Sequence, residues 1–482
     1  MPDRADTINT GTDAALPEVE RRDRTLAGFL RRSIFRNRVQ LLGGVLFAIL
    51  LPLVFRFNLF DVPLTQSSLT NTIIGAAIAL TLGFLFYRRL TDYPGTEGIS
   101  YAVPVFALTY AGILVLFVFL RLDYSRYLFG ASYLMAVIWF TALSIAMVRL
   151  RTYRIGIVPG GSVASLPDPG SVRWERLSEP RALPRGLNAV VADLRTDFSP
   201  EWERFIAETA IAGTPVFHVK QLQETLTGRV EIEHLSENTL GALNPNDLYL
   251  KIKQAIDWLG ALIALLVTLP LLAAIAAVIR LESKGPALFR QARMGYRGNV
   301  FTVYKFRTMT TERDSARSAR EQAMTQDADQ RITRFGRFLR RTRLDELPQM
   351  INILRGEMSW IGPRPEAVPL SEWYEQELPF YRYRHIVRPG ISGWAQVMQG
   401  HVAAPDQVLE KLHYDFYYIK NFSPWLDLLI VLKTIRTMLT GFGAREADVR
   451  TFASRSRRRS MFPARTQRSY FAAADGSFER KA

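Results

Sequence analysis

The sequence predicts a membrane α-helical N-terminal bundle joined to α/β structure, and three observations carry that fold class. Four long apolar stretches precede Arg151, strand-like and helix-like segments alternate after it, and a fifth apolar stretch, interrupted by a proline, lies between basic flanks. A chain of 482 residues has room for two or three domains. With 0 Cys it has no disulfide framework, thiolate nucleophile or thiolate metal site, and 5 His leave little for a zinc cluster. The net charge of +16 and a pI near 10.1 call for polyanionic neighbours: nucleic acid, phosphorylated substrates or an anionic lipid surface. The mean hydropathy of +0.02 averages unlike halves.

Residues 1–38 open with "MPDRADTINTGTDAALPEVERRDR", which lacks an apolar core and a cleavage signature, and read as a disordered cytoplasmic head. Residues 39–150 contain the four stretches, Val39 to Phe55, Leu69 to Tyr87, Ile99 to Leu120 and Tyr127 to Val148. Each has the length an α-helix needs to cross a bilayer, roughly 17 to 25 residues. Basic residues in "RRSIFRNR", "RRL" and "RLRTYR" outnumber Arg56, Arg121 and Arg126 on the other side, so both ends of the block face the cytoplasm.

Residues 151–246 change character. "YRIGIVPGG" reads as a buried strand entering a glycine turn, "LNAVVADLR" as a second strand, "SPEWERFIAETAIAG" as a capped helix and "TPVFHV" as a third strand. That alternation predicts a small Rossmann-like domain. It is a degenerate one, because Gly156, Gly160 and Gly161 do not match G-x-G-x-x-G.

From Ile256 to Ile279 the chain is apolar apart from Asp257 and Thr268, with Pro270 near the middle. Length alone makes this a fifth spanning helix. Its flanks argue otherwise: Lys251 and Lys253 precede it and Arg280, Lys284, Arg290 and Arg293 follow, so both ends read as cytoplasmic. A proline removes one backbone donor where the helix can turn back. The expectation is a re-entrant membrane hairpin over 256–280, with Lys253 and Asp257 together at its mouth and Pro270 at its bend.

Downstream, "GPALFRQARMGYRGNVFTVYKFRTM", "RRTRLDELPQMINILRGEMSWIGPRPE", "RPGISGWAQV" and "KLHYDFYYIKNFSPWLDL" occur in that order. This region resembles the bacterial sugar transferase family, the monotopic phosphoglycosyl transferases. Together with the N-terminal spans it resembles the long, exopolysaccharide-initiating branch. The resemblance implies a catalytic domain over 247–445, followed by a basic disordered tail at 446–482. It implies transfer of a hexose 1-phosphate from a UDP-sugar, glucose or galactose favoured, to undecaprenyl phosphate with release of UMP. It further implies Mg2+ as cofactor and undecaprenyl phosphate, the UDP-sugar and the lipid bilayer as partners, with no nucleic acid. A homodimer is carried as an expectation, and so is a multi-pass location in the bacterial inner membrane with the catalytic domain on its cytoplasmic face.

Two polyanionic substrates explain why arginines surround the paired acids of "LDELPQ". By resemblance Asp345 is the nucleophile and Glu346 the Mg2+ ligand; a general-base role for Asp345 in a ternary complex is the alternative. Arg340 and Arg364 match phosphate-binding positions, the latter held in "GPRP" between Pro363 and Pro365. Lys305 and Arg307 in "YKFRTM" are read as opposite-facing charges on a strand, one a ligand and one a surface residue. Gln396 and Pro365 are candidate substrate contacts. "NFSPWLDLLIVLKTIRTML" has Ser423 at an N-cap and Pro424 at N1 and reads as an interfacial or a core-packed helix.

Two other classes of function compete. A membrane-bound nucleotide-sugar dehydratase needs a Y-x-x-x-K pair, and Tyr249 and Lys253 have that spacing, but no glycine fingerprint follows Asn246. A non-catalytic scaffold of polysaccharide export would leave Asp345 dispensable.

Overall fold

The computed structural model describes residues 36–59, 65–91, 98–150, 153–167, 172–180, 183–184, 186–232, 247–310, 331–399 and 405–440. Nearly all of the expected head at 1–38 and the whole tail at 446–482 lie outside the described residues.

The N-terminal bundle begins with α1 (Asn37–Val45), which runs through a π turn (Leu46–Leu50) into α2 (Leu51–Leu59). The π turn directly precedes Pro52, whose missing N–H interrupts the regular helical ladder. Then come α3 (Gln66–Thr91), α4 (Gly98–Phe119) and α5 (Arg126–Leu150). Small residues set the helix spacing: a Cβ at Gly83 would lie 2.5 Å from the Phe106 ring and one at Gly75 2.2 Å from Phe117. Phe106 stacks on Phe140 with 4.7 Å between ring centroids. Polar groups inside the bundle pair with each other, Tyr110 Oη with Ser132 Oγ at 2.8 Å and the Ser125 amide with Thr72 Oγ1 at 2.8 Å. Ile74, Val103, Val115 and Leu134 remain exposed on its outer face.

The next region is a four-stranded parallel sheet, β1 (Tyr153–Ile157), β2 (Val172–Arg176), β3 (Ala189–Ala192) and β4 (Val216–His218), in the order β2-β1-β3-β4. Helices α6 (Pro200–Ile211) and α7 (Val219–Thr227) accompany it. Strand β2 was missing from the sequence reading, because an edge strand containing Arg173, Glu175 and Arg176 has no apolar run. Ser199 does sit at the N-cap of α6, yet its hydroxyl donates to Glu201 rather than capping the helix. At the carboxyl ends of β1 and β3, where a ligand crevice forms in such sheets, the buried Asp193 carboxylate accepts the Ser162 amide at 2.9 Å.

The expected hairpin lies within one helical run, α8 (Asp247–Glu282), with Pro270 inside it. Both ends bind the region that follows. Near the start, Lys253 lies 3.3 Å from Asp257 and 2.9 Å from Asp427, and Ser359 Oγ donates to Asp257 at 2.5 Å. Tyr249 Oη also donates to Asp427 at 2.6 Å, so the Tyr249–Lys253 pair belongs to this anchoring network rather than to a dehydratase centre. At the far end Glu282 Oε1 accepts the Phe335 amide at 3.0 Å.

The remaining elements are a hairpin, β5 (Leu288–Met294) with β6 (Val300–Phe306); α9 (Arg334–Thr342); a 3-10 turn (Leu344–Gln349); α10 (Met350–Leu354); a parallel pair, β7 (Ser359–Ile361) with β8 (Gly390–Ser392); and α11 (Val368–Glu377), α12 (Trp394–Met398), α13 (Pro405–Lys420) and α14 (Pro424–Thr440). The Leu426 amide donates to Ser423 Oγ, as a helix start at Pro424 requires. Helix α14 buries Leu426, Leu429 and Ile430, sets Trp425 edge-on against Phe86 of α3 and leaves Val431, Ile435 and Met438 exposed. The parallel-sheet region docks on α12 and α13 through Trp394 Nε1 donating to Gly228 O and Lys420 pairing with Glu224, 2.9 and 2.7 Å. Among the described residues five helices are long and apolar enough to cross a membrane: the α1–α2 run, α3, α4, α5 and α8.

Candidate active site

Helix α9 ends at Arg343, whose φ of 59° lies in the left-handed region, and the chain turns at once into the 3-10 segment that starts LDELPQ. Neighbouring side chains in such a turn point about 120° apart. Glu346 therefore goes inward and is buried, while Asp345 stays at the edge of the cluster.

Three cations meet Glu346 on its Oε1: Arg364 Nη2 at 2.8 Å, Arg343 Nη1 at 3.3 Å and Lys305 Nζ at 3.7 Å. Burial alone pushes the Glu346 carboxyl up, but Arg364, Lys305 and Arg343 outweigh it and hold the group ionised well below the usual carboxylate range. Asp345 moves the other way. Burial and then the Glu346 charge raise it, against the pull of Lys305, Arg343 and Arg364, and its Oδ1 is buried with no hydrogen-bond partner. Burial, then repulsion from Arg364, lowers Lys305 to about 7.

Arg364 is aimed by its loop. A Cβ at Gly390 would sit 2.1 Å from the Gly362 amide nitrogen and one at Gly393 2.3 Å from Gly362 O, so backbone packs directly on backbone where the GPRP segment starts. Pro363 and Pro365 fix φ on either side of Arg364. Pro365 is buried, and its carbonyl accepts from Arg293, which burial lowers to about 10.

The structure thus brings Lys305, Asp345, Glu346 and Arg364 together. Arg340 stands on the last turn of α9 with its Nε donating to Thr308 Oγ1 at 2.9 Å. Arg307 corrects the sequence reading: it is buried, and it donates to Ser283 O, Ser283 Oγ and Lys284 O at 2.7, 2.9 and 3.0 Å just past α8. Lys305 is largely buried too, so neither is a surface residue. Residues two apart on a strand share a face, so the alternation of β6 does not set Lys305 and Arg307 on opposite sides. Gln396 lies on α12 with Nε2 donating to Ile391 O at 3.3 Å and Oε1 buried without a partner.

Sequence reasoning did not assign Arg343 a direction; only its left-handed backbone turns it onto Glu346. It also missed Arg293 and Arg384, whose bonds go to main-chain carbonyls that leave no sequence signal.

The donor set fits the Mg2+ that the resemblance implies. Mg2+ prefers hard oxygens and is usually taken through one or two carboxylates together with substrate phosphates. Among the described residues no group of three His, Cys, Asp or Glu is placed to hold a metal ion, and Glu346 is a carboxylate of the hard-oxygen kind. The three cations all fall on Oε1 of Glu346, and Asp345 Oδ1 is unengaged.

The family model described as bacterial sugar transferase matches residues 248–441. The chain is 45% identical over 405 residues to the UDP-N-acetylgalactosamine-undecaprenyl-phosphate N-acetylgalactosaminephosphotransferase of Aeromonas hydrophila, covering 83% of this chain and 94% of the relative. It is 40% identical over 201 residues to the UDP-glucose:undecaprenyl-phosphate glucose-1-phosphate transferase of Xanthomonas campestris pv. campestris, 41% of each chain. The like-named protein of Escherichia coli K12 is 42% identical over 188 residues, 38% of this chain and 39% of that one.

Proposed function

The chain belongs to the bacterial sugar transferase family, and from that premise we propose that it transfers a sugar 1-phosphate from a UDP-sugar to undecaprenyl phosphate, releasing UMP, as the first membrane step of a surface polysaccharide. The observation that carries this reading is the buried Glu346 held ionised by Lys305, Arg343 and Arg364 beside a carboxylate with an unengaged oxygen. Such a site is built to receive phosphate charge.

In the proposed reaction Asp345 attacks the phosphorus that bears the sugar. A new P–O bond forms to its carboxylate, the bond to the UMP oxygen breaks, and UMP leaves with the electron pair. A phosphate oxygen of undecaprenyl phosphate then attacks the same phosphorus, the acyl-phosphate P–O bond breaks, and Asp345 regains its carboxylate. The raised Asp345 carboxyl suits this task, because a carboxylate less stabilised by its surroundings is the better nucleophile. The lipid phosphate is already ionised at neutral pH, so the second attack needs no base. Lys305, Arg343 and Arg364 take up charge on the transferring group. Glu346, with a substrate phosphate, would hold Mg2+, which when bound neutralises phosphate charge.

The sugar is the open choice. The Aeromonas hydrophila relative, aligned over 83% of this chain, is named for N-acetylgalactosamine, whereas the two relatives named for glucose align over 41% and 38% of it. This favours UDP-N-acetylgalactosamine as the first donor to test, beside UDP-glucose and UDP-galactose. We further propose that the 151–246 segment is a degenerate Rossmann-like domain, and that α8 enters the inner membrane from the cytoplasmic face and returns to it. A straight helix of 36 residues would be about 54 Å long, well beyond a hydrocarbon core of about 30 Å. The seating of both its ends on the catalytic region supports the return.

The test is UMP release by the purified full-length protein with a panel of UDP-sugars, undecaprenyl phosphate and Mg2+. Release with one donor, abolished by Asp345→Asn, is expected. No release with any UDP-sugar would overturn the reading.

A further inference from the structure

We infer that Arg384 and Arg293 are positioning residues that hold Arg364 through its main chain. The inference rests on the reading of Arg364 as a ligand of the transferring phosphate.

Four consecutive carbonyls around Arg364 are each taken by a donor from elsewhere in the chain. Pro363 O accepts from the Gly390 amide at 3.0 Å, Arg364 O from Arg384 Nη2 at 2.8 Å, Pro365 O from Arg293 Nη1, and Glu366 O from the Met294 amide at 3.0 Å. Two of the four residues are prolines and have no N–H to give, so the segment cannot brace itself with a ladder of its own. Its shape depends on these external donors.

Arg384 is built for that purpose. It is 3% exposed, and its remaining bonds go to Tyr381 Oη at 2.7 Å and Asp415 Oδ2 at 2.9 Å. Asp415 neutralises the guanidinium, and the Nη2 that donates to Asp415 also donates to the Arg364 carbonyl while Nη1 is held by Tyr381, so the planar fork is fixed on that carbonyl. Glu366, two residues past Arg364, is paired with Lys411 of α13, the helix that also carries Asp415. The loop is therefore held from β5, from β8 and from the Arg384–Asp415 pair, while the Arg364 side chain is left to face Glu346.

The test variant is Arg384→Lys in the full chain. It keeps a positive charge beside Asp415 but replaces the planar fork with a single nitrogen. If Arg384 acts by aiming Arg364, kcat falls on the order of a hundredfold, as small misplacements of a catalytic group do, while KM for the UDP-sugar changes little. In an Arg364→Lys background the same substitution costs less than about twofold more, because its effect has already been spent. A residue of general structural importance would instead multiply its loss onto that background. Should Arg384→Lys fail to fold, Arg293→Lys, acting on Pro365 O, carries the same expectation.

Hydrogen exchange over residues 362–370 needs no turnover and is read alongside. The variant is expected to speed exchange there while the wild type stays protected. Absent UMP release by the wild type would sink the proposed function, and exchange alone would then decide the positioning role. Multiplicative losses in the double variant, or unchanged exchange in the loop, would overturn the inference.

Discussion

Arg364 Nη2 lies 2.8 Å from Glu346 Oε1, with both side chains largely withdrawn from solvent. The pair is more than a surface ion pair, although Arg343 and Lys305 still face Glu346 when Arg364 is removed. Arg364→Met should lower stability by about 1 to 3 kcal/mol, the cost of a lost charged hydrogen bond, and abolish turnover. Arg364→Lys should keep most of the stability and lose most of the turnover, because a single ammonium does not reproduce the guanidinium fork. Thermal unfolding and UMP release on the same detergent preparations check both outcomes.

Lys253 neutralises two buried carboxylates, Asp257 and Asp427, that join α8 to α14. Lys253→Met should therefore destabilise the protein by about 3 to 5 kcal/mol, and Asp427→Asn should cost less because Tyr249 and Tyr418 can still donate to it. Melting temperatures of the two variants in one detergent would rank them, and equal values would contradict the network's role as the seat of α8.

The spans of the N-terminal bundle were legible because hydropathy over some twenty residues survives any detail of packing. The paired acids and the GPRP arginine were legible because they sit inside short motifs. Strand β2 was not, since Arg173, Glu175 and Arg176 on a sheet edge look like loop. Arg307 was misread because residues two apart on a strand share a face, so Lys305 and Arg307 do not oppose each other, and both are withdrawn from solvent. The hold of Arg384 on Arg364 depends on a main-chain carbonyl, and main chain is the same at every position of a sequence.

Gly390 has no space for a side chain, and Gly112 has nothing within 4 Å of an added Cβ. Gly390→Ala should displace the GPRP loop and cut turnover by an order of magnitude or more, by about 10- to 100-fold if a shift near 1 Å results. Gly112→Ala on α4 should leave turnover unchanged and add up to about 1 kcal/mol of helix stability. Comparable turnover in the two variants would refute the close-packing argument.

His385 is buried beside Arg384 and Arg382; burial first, then those charges, lower its imidazole to about 3 from 6.5. Between those values the unfolded chain binds a proton that the folded protein refuses, so stability is lost as pH drops from about 6.5 towards 3, by at most ~1.4 kcal/mol per pH unit. His385→Gln should flatten that limb, with urea midpoints at pH 4.5 and 7 as the readout. An unchanged slope in the variant would place the acid sensitivity elsewhere.

The covalent role of Asp345 is tested most directly by mass spectrometry of the intact protein mixed with its UDP-sugar and Mg2+ and no lipid acceptor. The account predicts a mass increase equal to one sugar phosphate, mapped to the peptide containing Asp345, absent in Asp345→Asn and discharged when undecaprenyl phosphate is added. An unmodified Asp345 peptide in a preparation that turns over with both substrates, together with sequential rather than ping-pong kinetics, would contradict it.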